Sequence, residues 1–474
     1  MPKQTLVMKF GGTSVGSANA LVKAVQIVKD ARAEYPRVVV ITSAMSGVTN
    51  LLLDSAALAS QGKVDSLPSA ESTLREKHFA AADALIKNEH LREVTKAEIN
   101  VLIFSLVDLC KAIAILGEAS PRAMDAVASI GERMCVRLLG AVLEDAGVNA
   151  KAIESTEFVV TNAHFQHAHP DFKATTEKTR RLLNPLMDAG IVPITTGFIG
   201  ATPEGVITTL GRGGSDYSAA VIGSVLPADD VWIWTDVDGV MTTDPRIVKD
   251  AVTLPEITYS EIAELAYYGA KVLHPKTIRP VVDAGIGLRI CNTFNPSHPG
   301  TRLIANAPSD SKARNGQVVK AVTAIRNQRL VTIEGRGMLG VPGVAARAFG
   351  AVASTKTSVP LITQASSEQS ICFAVPSESA ASVLNALQAV FASEIEDEDI
   401  DRVWMTEDVS IITVVGVGMR HTPGVAGQVF TQLGNNKANV LAIAQGSSEV
   451  SISLVVDAMD TENAVKALHE LIVN

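Results

Sequence analysis

The stretch TLVMKFGGTSVG, residues 5–16, decides how the chain is read. A run of apolar, β-prone character from Thr5 to Phe10 breaks into paired glycines and hydroxyls, the outline of a strand feeding a phosphate-cradling loop. The common triphosphate loop, GxxxxGKS or GxxxxGKT, is absent: Gly11 and Gly16 have its separation, but Ser17 stands where the lysine belongs and Lys9 precedes the glycines. The loop is a phosphate site of another design or a plain turn, and segments elsewhere must decide.

At 474 residues the chain exceeds one ordinary core, so two or three domains are expected. With 47% apolar and 19% charged residues it can bury cores and is not a disordered chain. A net charge of −9 gives no basic footprint for nucleic acid or an anionic membrane, so an anionic ligand needs a local cluster of cations. Cys110, Cys135, Cys291 and Cys372 are scattered without a CxxC pair, which argues against zinc and a disulfide framework and for a reducing compartment. The N-terminus lacks the pattern of a leader, and no uninterrupted apolar stretch reaches membrane-spanning length. A soluble, cytoplasmic protein is expected.

Up to residue 305, short β-rich runs alternate with helical patterns: 5–10, 38–43, 191–198, 206–210 and 231–235 are apolar on both sides, as in strands buried under helices on both faces. Thr258 and Glu261 have the spacing of a capping box before an apolar helix. This predicts an α/β domain over 1–305, followed by a polar linker at 306–319. Beyond it the chain repeats: GRGMLGVPGVAARAF at 335–349 answers GVGMRHTPGVAGQVF at 416–430, and ITQASSEQSI at 362–371 answers IAQGSSEVSI at 443–452, all at one offset. Two copies, 320–395 and 404–474, are each predicted as βαββαβ, with the acidic run between them a solvated connector. Gly335, Gly337 and Gly340 spell GxGxxG, but the second copy carries His421 in the third position, so a tight turn is the better account than a dinucleotide site.

In the α/β domain, small, polar and charged residues cluster where strands end: 9–16, 43–50, 208–218, 234–246 and 269–277. In an open parallel sheet such ends define the ligand crevice. Gly11 and Gly12 would let backbone amides approach an anion, and Gly213 and Gly214 before a helix form a second such nest beside Arg212. Asp216 could be a mere N-cap there. Lys9, Arg246 and Lys271 are candidate phosphate cations, while the planar fork of Arg212 suits a carboxylate. His164, His167 and His169 read as loop before Pro170, His274 as packing, and Trp232 with Trp234 as core of a strand.

In this order KFGGTSV, SAMSGVTN, SIGER, TTLGRGGSDYSAA, WTDVDGVMTTDPR and GAKVLHP resemble aspartate kinase, and the repeated modules resemble paired ACT domains. The resemblance spans essentially the whole chain. It implies the three-layer α/β sandwich of the amino-acid-kinase fold with a mainly parallel sheet, followed by two ferredoxin-like ACT domains. It also implies transfer of phosphate from ATP with Mg²⁺ to L-aspartate, the first step of lysine, threonine and methionine biosynthesis. Lys9 and Asp216 match the catalytic positions, and Ser43, Thr49, Glu132, Arg212 and Ser215 the aspartate-binding ones. Lys9, Gly11, Gly12, Gly213, Gly214, Thr235, Asp236, Met241, Arg246 and Lys271 match nucleotide-binding positions, with Met241 departing from a common tyrosine. No all-protein metal site is expected, since phosphates and water hold most of the Mg²⁺ in such sites.

Met338, Gln364 and Gln445 match effector positions, and QASSE with QGSSE resembles the threonine-sensitive type. Pro360 stands where lysine-sensing relatives hold an acid, which lowers L-lysine without excluding it. A homodimer or homotetramer through ACT domains is implied. The alternatives are a catalytically inactive amino-acid sensor, which the joint presence of Lys9, Glu132, Arg212, Asp216 and Lys271 opposes, and a bifunctional enzyme with a homoserine dehydrogenase domain, for which the sequence after the second copy leaves no room.

Overall fold

A computed structural model describes residues 4–268, 273, 275–305, 318–365, 369–420, 422–446 and 450–473. Lys271, His274, His421 and residues 306–317 of the predicted linker lie outside the described residues. The chain divides into two units, one of Met1–Val240, Pro255–Tyr259 and Val272–Ala305, the other of Met241–Leu254, Ser260–Lys271 and Asn306–Asn474.

The first unit runs β1 (Thr5–Phe10), α1 (Ala18–Glu34), β2 (Arg37–Thr42), α2 (Val48–Ser60), α3 (Leu67–Leu85), α4 (Glu89–Leu116), α5 (Pro121–Asp145), β3 (Ala150–Ile153), α6 (Phe172–Asp188), β4 (Val192–Thr196), β5 (Ile199–Ala201), β6 (Ile207–Thr209), α7 (Gly214–Val225), β7 (Asp230–Thr235) and β8 (Glu256–Thr258). Helix α8 (Tyr259–Tyr267) belongs almost wholly to the second unit, and α9 (Pro275–Ala284), β9 (Gly287–Asn292) and β10 (Thr301–Ile304) complete the first. Its sheet has the order β3-β4-β2-β1-β7-β9-β10-β8 and is parallel except where β9 meets β10. The hairpin β5–β6 stands off this sheet, which corrects the reading of 206–210 as one more strand buried on both faces. A strand that short, paired to one neighbour only, is set by its turn rather than by the core.

All six residues of β1 are buried, and the alternation along it sorts the two faces. Leu6, Met8 and Phe10 join the large core built with α5, whereas Lys9 lies on the opposite side from them and reaches Asp216 in α7. Strand β1 pairs with β2 on one side and β7 on the other, so connections leave it in both directions. The loop after it therefore lies at the topological switch point of the sheet, where open α/β sheets hold ligands. Ser17, in the place of the absent P-loop lysine, caps α1 by accepting the Ala20 N–H.

Helix α4, although Asp108 and Lys111 interrupt its apolar run, is by length and composition long and apolar enough to cross a membrane. Its Ile99, Leu102, Ile103, Leu106, Cys110 and Ile113 instead pack into the first unit's core.

In the second unit the elements are β11 (Ala321–Glu334), α10 (Val344–Ser354), β12 (Leu361–Gln364), β13 (Ser370–Pro376), α11 (Ser377–Val390), α12 (Ala392–Glu396), β14 (Arg402–Met405), β15 (Val409–Val415), α13 (Val425–Asn435), β16 (Val440–Ala444), β17 (Ser451–Asp457) and α14 (Thr461–Val473). One strand serves both copies. Ala321–Ile325 of β11 pairs with Ile411–Val415 of β15, while Gln328–Glu334 pairs with β13 and, on the other edge, with β14. The register shifts between Ile325 and Gln328, where Asn327 takes the left-handed conformation at φ 57°. The first copy is thus inserted into the second, and its closing strand is β14, beyond residue 395. Gly335 N–H donates to Gln369 O and Gly337 N–H to Asp399 O, so these two amides of the GxGxxG stretch are spent on neighbouring segments of the chain.

The second unit also takes in two segments from the middle of the chain. Thr242 bonds His469 Nε2 through its hydroxyl at 2.9 Å, and the fully buried carboxylate of Glu261 accepts from Lys320 Nζ at 2.9 Å and from Val417 N–H at 2.7 Å.

Candidate active site

The loops that follow β1 and β2 are stitched together by main-chain bonds. Ser43 N–H donates to Phe10 O, Ser46 N–H to Gly12 O, and Gly11 N–H to Trp234 O at 3.0 Å. The last bond corrects the role expected of Gly11, because its amide is committed to β7 and not free for an anion. Helix α5 presses onto the same loop at Gly131, where an added Cβ would lie 2.7 Å from Ala44 Cβ. The glycine of SIGER is therefore the condition for its neighbour Glu132 to enter the site.

These elements enclose a cavity of about 720 Å³ within the first unit. Lys9, Gly12, Ser43, Thr49, Glu132, Arg212, Gly213, Gly214, Ser215 and Asp216 all line it. Lys9 Nζ lies 2.5 Å from Asp216 Oδ1, with both side chains largely buried. Asp216 stands in the first turn of α7, but the cap is Gly213 in the left-handed conformation with no side-chain bond. The N-cap reading of Asp216 is thereby corrected, and its carboxylate is spent on Lys9. Gly214 N–H donates to Gly211 O at 2.9 Å, so the second glycine nest offers fewer free amides than its sequence suggests.

Glu132 is buried, and its Oε2 has no hydrogen-bond partner among the described residues. Burial pushes its pKa up to about 8, against the pull of the Ala44 N–H and of the positive Lys9. Such an orphaned acceptor in a cavity wall is a place made for a cationic donor. Arg212, exposed in the same cavity, forms no ion pair with any described residue. One wall is thus acidic and buried, the opposite function being supplied by an open guanidinium.

Thr235 and Asp236 sit at the end of β7, outside the cavity lining, with the Thr235 hydroxyl donating to Asp236 Oδ1 at 3.2 Å. Met241 and Arg246 belong to the second unit. Met241 Sδ accepts from the Thr253 hydroxyl, and exposed Arg246 chelates Asp244, its Nη2 at 2.6 Å. The side chain of Met338 is buried in the first copy's core, whereas Gln364 and Gln445 are exposed at the ends of β12 and β16.

The cavity lining also includes residues to which the sequence assigned no role in the site, among them Asp125, Gln166, His167, Phe198 and Thr209. Asp125 stands two helical turns before Glu132, a spacing that was legible. Gln166 and Phe198 both have positive φ, at 68° and 67°, a backbone region side chains rarely occupy and that no sequence pattern announces. Among the described residues no group of three or more His, Cys, Asp or Glu is arranged to hold a metal, and His164 meets His169 edge-on at 6.3 Å.

A model of the amino acid kinase family matches residues 4–292, and a model of the ACT domain matches 331–391 and 412–471. Aspartokinase 3, chloroplastic, of Arabidopsis thaliana is 34% identical over 474 residues, covering 98% of this chain and 81% of that protein. The chain belongs to the aspartokinase family. Bifunctional aspartokinase/homoserine dehydrogenase 2, chloroplastic, of the same plant is 36% identical over 464 residues, yet this chain covers 50% of it. The chain spans about half the length of several curated aspartokinase relatives it matches. Among solved structures, E. coli aspartokinase III in complex with aspartate and ADP (R-state) gives a TM-score of 0.80 at 32% identity, covering 99% of this chain and all of that one. The same aspartokinase with lysine and aspartate (T-state) gives 0.78 at 33% identity, again covering 99% of this chain and all of that one.

Proposed function

We propose that the chain transfers the γ-phosphoryl group of ATP to the side-chain carboxylate of L-aspartate, giving 4-phospho-L-aspartate and ADP. The observation that carries this reading is the joint presence, in one cavity, of the Lys9–Asp216 pair and the unpartnered Glu132 carboxylate. The complex of an aspartokinase relative with aspartate and ADP supports it. An aspartate side chain, with a pKa of about 3.9, is already ionised at neutral pH and needs no general base. The barrier is repulsion: two like charges about 4 Å apart at an effective dielectric of about 20 cost roughly 4 kcal/mol.

Each residue answers part of that problem. Glu132 receives the substrate ammonium and Arg212 its α-carboxylate, which leaves the β-carboxylate aimed at Lys9. A β-carboxylate oxygen bonds to the γ-phosphorus as the β,γ-bridging bond breaks and ADP leaves. Lys9 offsets the charge gathered between acceptor and phosphoryl group, and Asp216 fixes the ammonium in place. The N-terminus of α7 adds its dipole. Mg²⁺ arrives with the nucleotide as part of the substrate. Thr235, Asp236, Met241, Arg246 and Lys271 are proposed for the nucleotide.

Arg212→Ala raises the KM for L-aspartate by about 10- to 100-fold, the worth of a charge-assisted bond, with KM for ATP unchanged. Steady-state kinetics in both substrates check this, and an unchanged aspartate dependence removes the role.

The chain is further proposed to act in the cytoplasm, at the head of lysine, threonine and methionine biosynthesis, as a homodimer or homotetramer inhibited by L-threonine. Gln364 and Gln445 offer a donor and an acceptor each to a small zwitterion with a polar side chain. L-lysine is the second reading, favoured by the lysine complex of an aspartokinase relative. A hydroxamate assay for aspartyl phosphate, run alone and with millimolar threonine or lysine, tests both levels. Absence of hydroxamate with aspartate overturns the activity; activity unaltered by threonine overturns the effector.

A further inference from the structure

Asp125, Gln166, His167 and Thr209 are not a random part of the cavity lining. Asp125 is 1% exposed, and both its carboxylate oxygens are filled. The Gln166 N–H donates to Oδ1 and Oδ2 at 3.0 and 2.9 Å, the Thr209 N–H to Oδ2 at 2.9 Å, and the Thr209 hydroxyl to Oδ1 at 2.7 Å. A buried carboxylate satisfied in this way serves as an anchor, and what it anchors is the loop at 162–169 in its left-handed turn at Gln166. The turn delivers the next residue, His167, to the cavity.

The receiving surface is shaped for that imidazole. Gly211 has φ +79°, and a Cβ placed on it would lie 2.8 Å from His167 Nδ1 and 2.9 Å from Gln166 O. The glycine that opens GRGGSD thus admits the ring against the backbone immediately before Arg212. The imidazole forms no side-chain hydrogen bond with any described residue, and its own backbone N–H is spent on His164 O. A ring seated through one anchored carboxylate, one left-handed residue and one obligatory glycine, with its polar edge unspent, has the marks of a ligand contact.

We infer that His167 is a specificity-determining residue of the acceptor site, donating a hydrogen bond to the α-carboxylate of the amino-acid substrate beside Arg212. Asp125 acts through it as a positioning residue. This rests on the acceptor reading given above. It assigns the α-carboxylate two donors from two segments, while the reacting carboxylate faces Lys9. A substrate lacking the α-carboxylate leaves both unused.

The test is hydroxamate-coupled steady-state kinetics on the full chain. His167→Ala raises KM for L-aspartate about 10-fold, with kcat within about 2-fold and KM for ATP unchanged. His167→Asn, which retains an N–H donor, recovers most of the affinity, and His164→Ala alters neither constant. A KM shift below about 2-fold, a fall in kcat at constant KM, or failure of His167→Asn to recover affinity beyond His167→Ala overturns the inference. Wild-type chain that forms no hydroxamate from aspartate overturns the acceptor reading and this inference together, whereas an active wild type with an indifferent His167→Ala overturns this inference alone.

Discussion

Replacing Lys9 by alanine lowers turnover by about 10³-fold or more, the scale on which cationic groups act at a transferring phosphoryl group. The size of the effect follows from position. Lys9 is held at the end of a strand buried on both faces, and its ammonium is fixed 2.5 Å from Asp216 rather than swinging in solvent. No reorganisation is then needed when charge accumulates, and no other cation of the cavity lining replaces it, since Arg212 is assigned to the substrate. The fold should survive, because Asp216, left without its partner, still faces an open cavity where water can reach it. Lys9→Met keeps the apolar stem and guards against a packing artefact. Asp216→Asn should lose less than Lys9→Ala, and the double variant no more than the worse single one, since the two act as a unit. Hydroxamate formation with circular dichroism measures both sides. A loss below 10-fold in a folded Lys9→Ala variant sinks the assignment.

The parts of the site that were legible in the sequence are those carried by contiguous motifs at strand ends. Lys9 could be placed because β1 is a short apolar run ended by glycines, and Arg212 to Asp216 because a glycine pair opens a helix. Gly11 looked identical to Gly12 in the motif, yet its amide is spent on Trp234, more than two hundred residues away, and only strand pairing could reveal that. His167 does lie in a loop, but its place in the cavity was hidden for the same reason: it depends on Asp125, Thr209 and Gly211, which meet only in three dimensions. Repetition exposed the duplicated module but not its closure, because the polar run Arg326–Arg329 that interrupts β11 does not by itself say that the strand continues and changes partners there. Met338 and its counterpart Met419 are buried alike in the two copies, a common core position that repetition alone does not distinguish from a shared ligand contact.

Glu132→Gln weakens L-aspartate binding by about 10²- to 10³-fold and abolishes a proton release that accompanies it. Its carboxyl, pushed up to about 8 by burial, is mostly protonated in the free protein at pH 7. An arriving ammonium favours the ionised form, so at pH 7 binding expels close to one proton per site. Calorimetry in two buffers of different ionisation enthalpy reads this number directly, and it should shrink as the pH rises past 8. The same shift sets a stability slope. Between an unfolded-state pKa of about 4.3 and the folded value, only the folded chain keeps the proton, so rising pH favours unfolding across that window and the contribution is fully lost above about pH 8. Glutamine removes both the slope and the proton release, and leaves the free variant more stable than wild type at pH 8, since an amide carries no charge to bury. The loss of affinity arises because the amide offers a neutral oxygen to a desolvated ammonium, where the carboxylate offers a charge. Equal proton release by Glu132→Gln and wild type, or equal affinity, would place the ammonium elsewhere in the cavity.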